Sequence, residues 1–278
     1  MKKVEDLLYV TTSFAYNYPL EEADVIFVGV PFSSTSISKD SKYAPTLVRE
    51  AMKLIEGYSK KFDLNIFKAV KFCDLGNLEV VQGNYFRTAE RLIETIKEIK
   101  ERNPKAFLIF IGGEHLITLP IIEALSPKSI ISFDAHCDAR KEYLGEEFTH
   151  ATWAFHAAKK AKIYYYGVRS FSEEEKDNFD FNPLKEEEKI EDPVYLTIDI
   201  DVFDPCYIDT GFPTFGESGK GISPKEFFNI IENIIKSQKL IALDIVEISD
   251  NKILSKTAIL ASEIIKEVLA AMKFFGKI

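Results

Sequence analysis

Long apolar runs and clustered cysteines are both missing from this chain of 278 residues. Nowhere do about 18 uncharged apolar residues follow one another, which argues against a membrane-spanning helix. No apolar segment follows Lys2 and Lys3, as a signal peptide would require. The cysteines, Cys73, Cys137 and Cys206, are odd in number and lack the spacing of a metal finger. We therefore expect a protein of the reducing cytoplasm.

Positive charge is also scarce, because 35 lysines and arginines stand against 44 acidic residues and give a net charge of −9. Such a chain repels a phosphate backbone, and no cluster of basic and aromatic residues offers a local exception. Nucleic acid is therefore excluded as a partner, and a cationic small molecule is slightly favoured over an anionic one. The densest charge runs, at 173–177 and 185–192, predict a solvated loop or helix face.

The organisation of the chain predicts a single α/β domain spanning residues 1–278, because no linker, low-complexity stretch or internal repeat divides it. Runs of β-branched and aromatic residues typical of buried strands lie at 24–30, 70–75, 106–111, 129–133, 162–166, 194–198 and 240–246. Helical periodicity lies at 87–101, 116–125, 225–236 and 256–272. Ser223, Pro224 and Glu226 form a start signal for the third helix, with Ser223 as N-cap and Glu226 placed to complete a capping box. Alternating strands and helices predict a mostly parallel sheet covered on both faces.

Polar residues follow directly after four of the predicted strands. Ligands of open parallel sheets bind just beyond the carboxyl ends of the strands, so these residues matter most for function. They are Gly112 to His115, Asp134 to Asp138, Asp199 and Asp201 with Asp204, and Glu247. All four sets are expected at the same rim of the sheet.

Two of these sets repeat an alternating pattern of metal-type ligands. Asp134, His136 and Asp138 are spaced by two, so in an extended backbone they face one side. Alone, such a triplet is explained as well by a polar loop or a helix cap. Asp199 and Asp201 repeat the alternation after the apolar run at 194–198. Carboxylates gathered at one rim repel one another strongly unless cations neutralise them, so a pair of metal ions is the simplest interpretation.

The types of ligand indicate which metal the site would hold. His115 would add a sixth ligand, and a set of four carboxylates and two imidazoles suits Mn²⁺ better than structural Zn²⁺. Cys137 lies between two ligands and is expected, by alternation, to point away from them into the core, with a soft metal ligand as the alternative.

Four motifs in this order resemble the ureohydrolase family of arginases and agmatinases: GGEH at 112–115, SFDAHCD at 132–138, TIDIDVFDP at 197–205 and ALDIVE at 242–247. GGEH alone would be weak evidence for this family, whereas DAHxD followed about 60 residues later by DxDxxDP is a specific signature of it. The resemblance extends from Gly29 to the C-terminal helix. It implies the family's arginase-like fold, a three-layer α/β/α sandwich, and a homo-oligomer that is a trimer or a hexamer.

The resemblance also implies a ligand set for two Mn²⁺ ions per subunit. One ion is held by His115 and Asp138, the other by His136 and Asp201, and Asp134 and Asp199 bridge the two. Such a pair lowers the pKa of a shared water, which can then attack a guanidinium carbon without a covalent intermediate.

Two further residues match catalytic positions of the family and, with Asp138, form the expected catalytic set. His150 is implied as the proton shuttle for the leaving amine. Glu247 is implied as the carboxylate that pairs with the guanidinium group. Without the motifs, His150 would be interpreted as a structural histidine and Glu247 as an ordinary strand-end carboxylate. Glu114 is expected to orient the imidazole of His115. His156 is expected either to contact a metal ligand or to pack in the interior, rather than to bind metal.

The substrate is less well defined than the chemistry, because residues 209–213 depart from the family's PGTGTP-like loop. The loop at 139–149 lacks the Asn/Ser-rich composition of arginases. Its residues Glu142, Glu146 and Glu147 favour a terminal ammonium, whereas Arg140 and Lys141 argue for a carboxylate. Agmatine, cleaved to putrescine and urea, is therefore expected ahead of guanidinobutyrate, arginine and formiminoglutamate.

Two alternatives remain from other classes of protein. The first is a noncatalytic homologue that keeps the metals as structural elements, and a loss of turnover in His150→Ala with metal retained would exclude it. The second is a single-zinc amidohydrolase of the deacetylase type, which needs only part of the ligand set. Two metal ions per chain would exclude that enzyme.

Overall fold

The computed structural model describes residues 8–9, 13–178, 182–185, 190–209 and 220–278. Within these ranges the strands are β1 Leu8–Tyr9, β2 Val25–Val30, β3 Tyr58–Ser59, β4 Leu64–Asn65, β5 Phe72–Leu78, β6 Phe107–Gly112, β7 Ser129–Phe133, β8 Lys162–Tyr166, β9 Val194–Asp199 and β10 Leu240–Val246. The α-helices are α1 Ala44–Met52, α2 Ile66–Ala69, α3 Tyr85–Arg102, α4 Thr118–Leu125, α5 Trp153–Ala157, α6 Glu173–Asn178, α7 Pro224–Ser237 and α8 Lys256–Phe274. The atypical loop at 210–213 lies outside the described residues.

Eight of the strands form one sheet in the order β1-β5-β2-β6-β10-β9-β7-β8. β1 pairs with β5 in the antiparallel sense, and the other neighbours are parallel. The seven parallel strands are the seven runs predicted from the sequence. β3 and β4 form a separate antiparallel pair.

Helices cover both faces of the sheet, and alternate strand residues show this directly. Val25 and Phe27 of β2 belong to a hydrophobic core with residues of α1, α7 and α8. Ile26 and Val28 belong to a second core with residues of α3, α4 and α5. Every residue of β2 is buried, as expected for a strand packed on both sides. The fold is therefore the three-layer α/β/α sandwich with a mostly parallel sheet that the sequence predicts.

The predicted helices correspond to α3, α4, α7 and α8, with one difference at the start of α4. Residues His115–Ile117 form a 3-10 turn, and the α-helix begins only at Thr118. At α7, the Oγ of Ser223 accepts a hydrogen bond from the backbone N–H of Glu226 at 3.2 Å, which confirms the predicted N-cap. The carboxylate of Glu226 accepts a hydrogen bond from the hydroxyl of Tyr166 at 2.7 Å.

Among the described helices, none combines the length and apolar character needed to cross a bilayer.

Candidate metal centre and substrate cavity

The candidate site lies at the edge where β6, β10, β9 and β7 end, because these strands are consecutive parallel neighbours in the sheet. A parallel arrangement brings their carboxyl ends to one side, where an α/β fold binds its ligands. The residues beyond those four ends are the four polar sets predicted from the sequence. The structure brings together all six predicted ligands, together with His150 and Glu247.

The first group of ligand atoms centres on His115. Its Nδ1 lies 3.2 Å from Oδ2 of Asp134, 3.2 Å from Oδ2 of Asp138 and 3.4 Å from Oδ2 of Asp199. All four side chains are buried. This geometry can surround one small cation.

The second group shares Asp134 with the first. The Nδ1 of His136 lies 3.1 Å from Oδ2 of Asp201 and 3.7 Å from Oδ1 of Asp134. Asp134 thus offers one oxygen to each group, as a bridging carboxylate would. The Oδ1 of Asp199 accepts a hydrogen bond from the backbone N–H of Asp201 at 2.9 Å, which fixes the orientation of its carboxylate.

Two buried atoms of the first group show that a cation fits this site. Among the described residues, Nδ1 of His115 and Oδ2 of Asp134 face each other at 3.2 Å, and neither forms a hydrogen bond although both are buried. Leaving such an atom unsatisfied costs about 1–3 kcal/mol. A metal ion between them would satisfy both atoms at once. The residues present therefore fit the pair of metal ions inferred from the sequence.

The ionised carboxylates of the cluster repel one another, and positive charge nearby would stabilise them. Burial, together with the charge of Asp134, raises the pKa of Asp138 to about 6. Burial and the charges of Asp201 and Asp134 raise the pKa of Asp199 well above its usual range. Both shifts arise because ionised carboxylates crowd one another in a region of low dielectric. Divalent cations would remove this repulsion.

The two imidazoles of the cluster should make metal binding depend on pH. Burial lowers the pKa of His136, but Asp201 and Asp134 outweigh it and raise the pKa to about 12. The carboxylates around His115 likewise overcome burial and hold its pKa well above the usual value. Because a metal binds only the neutral ring, we expect Mn²⁺ uptake at neutral pH to release up to about one proton from each imidazole and to weaken as the pH falls.

Calorimetry in buffers of different ionisation enthalpy would count the released protons. His115→Asn, which carries no titrating ring at this position, should lower the count by about one. A binding enthalpy that does not depend on the buffer would contradict the expectation.

A buried hydroxyl and a buried carboxylate set the orientation of His115 through Nε2, the ring nitrogen that does not face the cluster. The Nε2 of its ring lies 2.9 Å from Oγ1 of Thr197, which donates a hydrogen bond to Oδ1 of Asp244 at 2.5 Å. Since the hydroxyl hydrogen is given to Asp244, Nε2 must donate to Thr197. In the neutral ring that binds metal, the lone pair of Nδ1 therefore faces the cluster. The Oδ2 of Asp244 accepts from the hydroxyls of Thr118 and Tyr195, each at 2.6 Å.

Removing this support should weaken metal binding. We expect Thr197→Val to lower the affinity for Mn²⁺ by about 10- to 100-fold, because such outer contacts hold the tautomer and angle of a ligating imidazole. Thr118→Val is the matched control, since Thr118 donates to the same carboxylate but its hydroxyl does not contact His115. Metal titration of both variants would measure the difference. Equal affinities in the two variants would contradict the assigned role of Thr197.

A cavity of about 480 Å³ opens over the cluster, and its lining combines ligands with His150 and Glu247. Arg140, Tyr143 and Phe171 also line it. This volume accommodates a small organic molecule.

Glu247 is held in an unusual conformation by its neighbours. Its φ is 59°, a left-handed value that is uncommon for a non-glycine residue and is found mainly where surrounding contacts impose it. Its Oε1 accepts a hydrogen bond from the backbone N–H of His115 at 2.9 Å, and its Oε2 accepts one from Ser36 Oγ at 3.3 Å. Burial and the charge of Glu114 raise the pKa of Glu247 to about 8. A cationic ligand would favour the ionised form.

His150 is neutral at physiological pH in this setting. Burial, followed by the positive charges of His115 and His136, lowers its pKa to about 4. The rings of Tyr143 and His150 pack nearly perpendicular to each other, with centroids 5.3 Å apart. A neutral imidazole at the wall of the cavity can accept a proton and pass it on.

The segment 33–38 was not predicted from the sequence, and it corrects the role expected for Glu114. The carboxylate of Glu114 does not orient the imidazole of His115 in the described hydrogen-bond network. Instead, its Oε2 accepts hydrogen bonds from the backbone N–H groups of Ser34, Thr35 and Ser36 at 2.6, 2.7 and 3.0 Å. The signal available in the sequence was a run of hydroxyl residues shortly after the strand at 24–30.

The charge run at 173–177 is also not simply solvated, because Glu175 is buried. Its Oε1 accepts a hydrogen bond from the backbone N–H of Ala139 at 3.0 Å, and its Oε2 accepts from the N–H and hydroxyl of Ser172, both at 2.8 Å. Glu175 therefore holds the backbone of the residue that follows the ligand Asp138. The prediction of a solvated face was wrong for this residue.

The loop between Asp138 and His150 places different residues at the cavity than its composition suggested. Within the described residues, Glu142, Glu146 and Glu147 are exposed and do not belong to the cavity lining. Arg140 does line it, with its guanidinium 5.3 Å from the centroid of the Tyr143 ring. The three glutamates can therefore act on a substrate only through their longer-range electrostatic field.

Cys137 is buried in the core, and the ring of His156 stacks on that of Phe148 with centroids 4.3 Å apart, so both pack as predicted.

Comparison with known proteins gives a consistent result over nearly the whole chain. The sequence matches the model of the arginase family over residues 23–185 and 181–271. It is 34% identical to the N(1)-aminopropylagmatine ureohydrolase of Thermococcus kodakarensis, over 98% of this chain and 100% of that protein. It is 35% identical to the agmatinase of Pyrococcus horikoshii, over 95% of this chain and 98% of the other. The solved structure of the agmatine ureohydrolase of Thermoplasma volcanium is 26% identical, with a TM-score of 0.82, over 95% of this chain and 94% of that one.

Proposed function

Because the chain belongs to the arginase family, we propose that it is a binuclear manganese hydrolase that cleaves the guanidinium group of agmatine to give putrescine and urea. The observation that carries the proposal is the pair of buried ligand groups that share Asp134, below a cavity lined by His150 and Glu247. Manganese is favoured because the set of four carboxylates and two imidazoles is rich in hard oxygen ligands. The proposed enzyme acts in the cytoplasm as a homo-oligomer, a trimer or a hexamer.

The proposed reaction assigns separate tasks to residues of the cavity. Two cations held by the cluster would supply a water of lowered pKa and offset the charge that develops on the substrate. The carboxylate of Glu247 pairs with the planar N–H donors of the guanidinium group, and its bonds from Ser36 and His115 keep it oriented. His150, neutral because of its lowered pKa, would accept the proton that the attacking water loses and pass it to the leaving amine nitrogen.

Agmatine is proposed as the substrate because the two relatives compared above, which match nearly their whole length, are named for agmatine or a derivative of it. N(1)-aminopropylagmatine is the second candidate, since a protein 34% identical along its whole length is named for that substrate. The two differ by an aminopropyl extension at the end remote from the guanidinium group. They would therefore share the chemistry of the cluster and differ only at the mouth of the cavity.

A screen with Mn²⁺-loaded protein tests the proposal. Urea release would be measured from agmatine, N(1)-aminopropylagmatine, guanidinobutyrate, arginine and free guanidine, and formamide release from formiminoglutamate. The highest kcat/KM is expected for agmatine. Inactivity on all six compounds, with two metal ions bound per chain, would overturn the assignment as a hydrolase. One bound ion per chain would instead indicate a mononuclear amidohydrolase.

A further inference from the structure

The hydroxyl of Thr35 lies between a buried carboxylate and the imidazole of His150. Its Oγ1 is 2.8 Å from Oε1 of Glu114 and 3.3 Å from Nδ1 of His150. The same oxygen accepts a hydrogen bond from the backbone N–H of His150 at 2.9 Å. Thr35 therefore contacts both the main chain and the ring of the histidine that lines the cavity.

The number of donors and acceptors determines the direction of these hydrogen bonds. Burial raises the pKa of Glu114, but three backbone N–H groups donate to its Oε2 and favour the carboxylate, which only accepts. The single hydroxyl hydrogen of Thr35 then points to Oε1 of Glu114. The two lone pairs of its oxygen remain to accept from the backbone N–H and from Nδ1–H of His150.

We propose that Thr35, held in place by Glu114, is a positioning residue that fixes His150 as the Nδ1–H tautomer and so presents an unprotonated Nε2 to the cavity. A histidine free in solution adopts both tautomers, whereas a ring bonded at Nδ1 to an acceptor is held in one. The edge contact with Tyr143 then limits rotation of the same ring. The lone pair of Nε2 is what a proton carrier needs on the side of the substrate.

The inference deepens the role proposed for His150 and rests on it, but its structural part can be tested without activity. The chain has four histidines, so long-range ¹H–¹⁵N correlation spectra of the imidazoles are simple to assign. Spectra would be recorded on protein loaded with diamagnetic Zn²⁺. The wild type and Thr35→Ser, which keeps the hydroxyl, should show His150 protonated at Nδ1. Thr35→Val, which has nearly the same shape but no hydroxyl, should show a mixture or the Nε2–H form.

Kinetics on the Mn²⁺-loaded variants test whether the tautomer matters for turnover. Thr35→Val is expected to lower kcat by about 10- to 100-fold with KM within about twofold, and Thr35→Ser should restore most of the rate. Ser34→Ala is the matched control from the same segment, because its hydroxyl contacts Gln82 and the backbone of Gly83 rather than the cavity. It should keep the wild-type rate and the wild-type tautomer.

Several results would overturn the inference: the Nε2–H form of His150 in the wild type, an unchanged tautomer in Thr35→Val, or an unchanged kcat in that variant. A loss of turnover in Ser34→Ala equal to that of Thr35→Val would assign the effect to the fold of the segment. Metal content and thermal unfolding of each variant would show whether the cluster and the fold are intact. If the wild type hydrolyses no guanidino compound, the proposed function fails, while the spectra still decide the tautomer.

Discussion

Asp134→Asn is expected to lower kcat/KM by at least about 10³-fold, which corresponds to about 4 kcal/mol of lost transition-state stabilisation. Asp134 is the carboxylate that contributes an oxygen to both ligand groups. Asparagine keeps the size of the side chain, and its carbonyl can still accept the hydrogen bond that the N–H of His136 donates to Oδ1 at 2.7 Å. It removes the negative charge that two cations would share. Metal content is therefore expected to fall together with turnover.

Asp204→Asn is the matched control for this variant. Asp204 is also buried and belongs to the same rim, but it lies outside both ligand groups. Its oxygens accept hydrogen bonds from the backbone N–H groups of Cys206 at 3.0 Å and Gly221 at 3.3 Å. Elemental analysis and urea release would be measured for both variants. Two bound metal ions and wild-type turnover in Asp134→Asn would show that the cluster is not the catalytic centre.

The sheet and the ligand rim could be predicted because both leave a local signal in the sequence. A strand covered on both faces is apolar over most of its length, so each buried run is visible by itself. The polar residues that follow such a run stand out against it, as Asp134 does after Phe133 and Asp199 after Ile198. Parallel pairing then brings these positions to one edge whatever the details of the loops.

The supporting contacts could not be predicted because they join residues far apart in the chain. Glu114 and the segment it holds are separated by 78 to 80 residues, and no periodicity records the pairing. Short helices such as α5, with five residues, and α6, with six, give too few turns for a helical pattern. Asp244 left a clue that could have been used, because it is a lone carboxylate inside the apolar strand 240–246. A buried charge of this kind requires partners, and three hydroxyls provide them.

His150→Ala is expected to lower kcat by about 10²- to 10⁴-fold, the range typical of losing a proton-transfer group, while KM and metal content stay close to wild type. The reason is positional, since His150 lines the cavity but belongs to neither ligand group. His156→Ala provides a matched control with another histidine, whose ring stacks on Phe148 and whose Nε2 contacts the backbone oxygen of Glu147 at 2.9 Å. That variant should retain turnover.

The outcome of this comparison separates an enzyme from a noncatalytic homologue that keeps its metals. Loss of turnover in His150→Ala with two ions still bound requires a chemical role for the imidazole, because neither the cluster nor the fold has changed. The rate of this variant also sets the lower limit for Thr35→Val, since misorienting a proton carrier cannot cost more than deleting it. Equal rates for His150→Ala and the wild type would remove His150 from the mechanism, and a matching loss in His156→Ala would attribute the effect to packing.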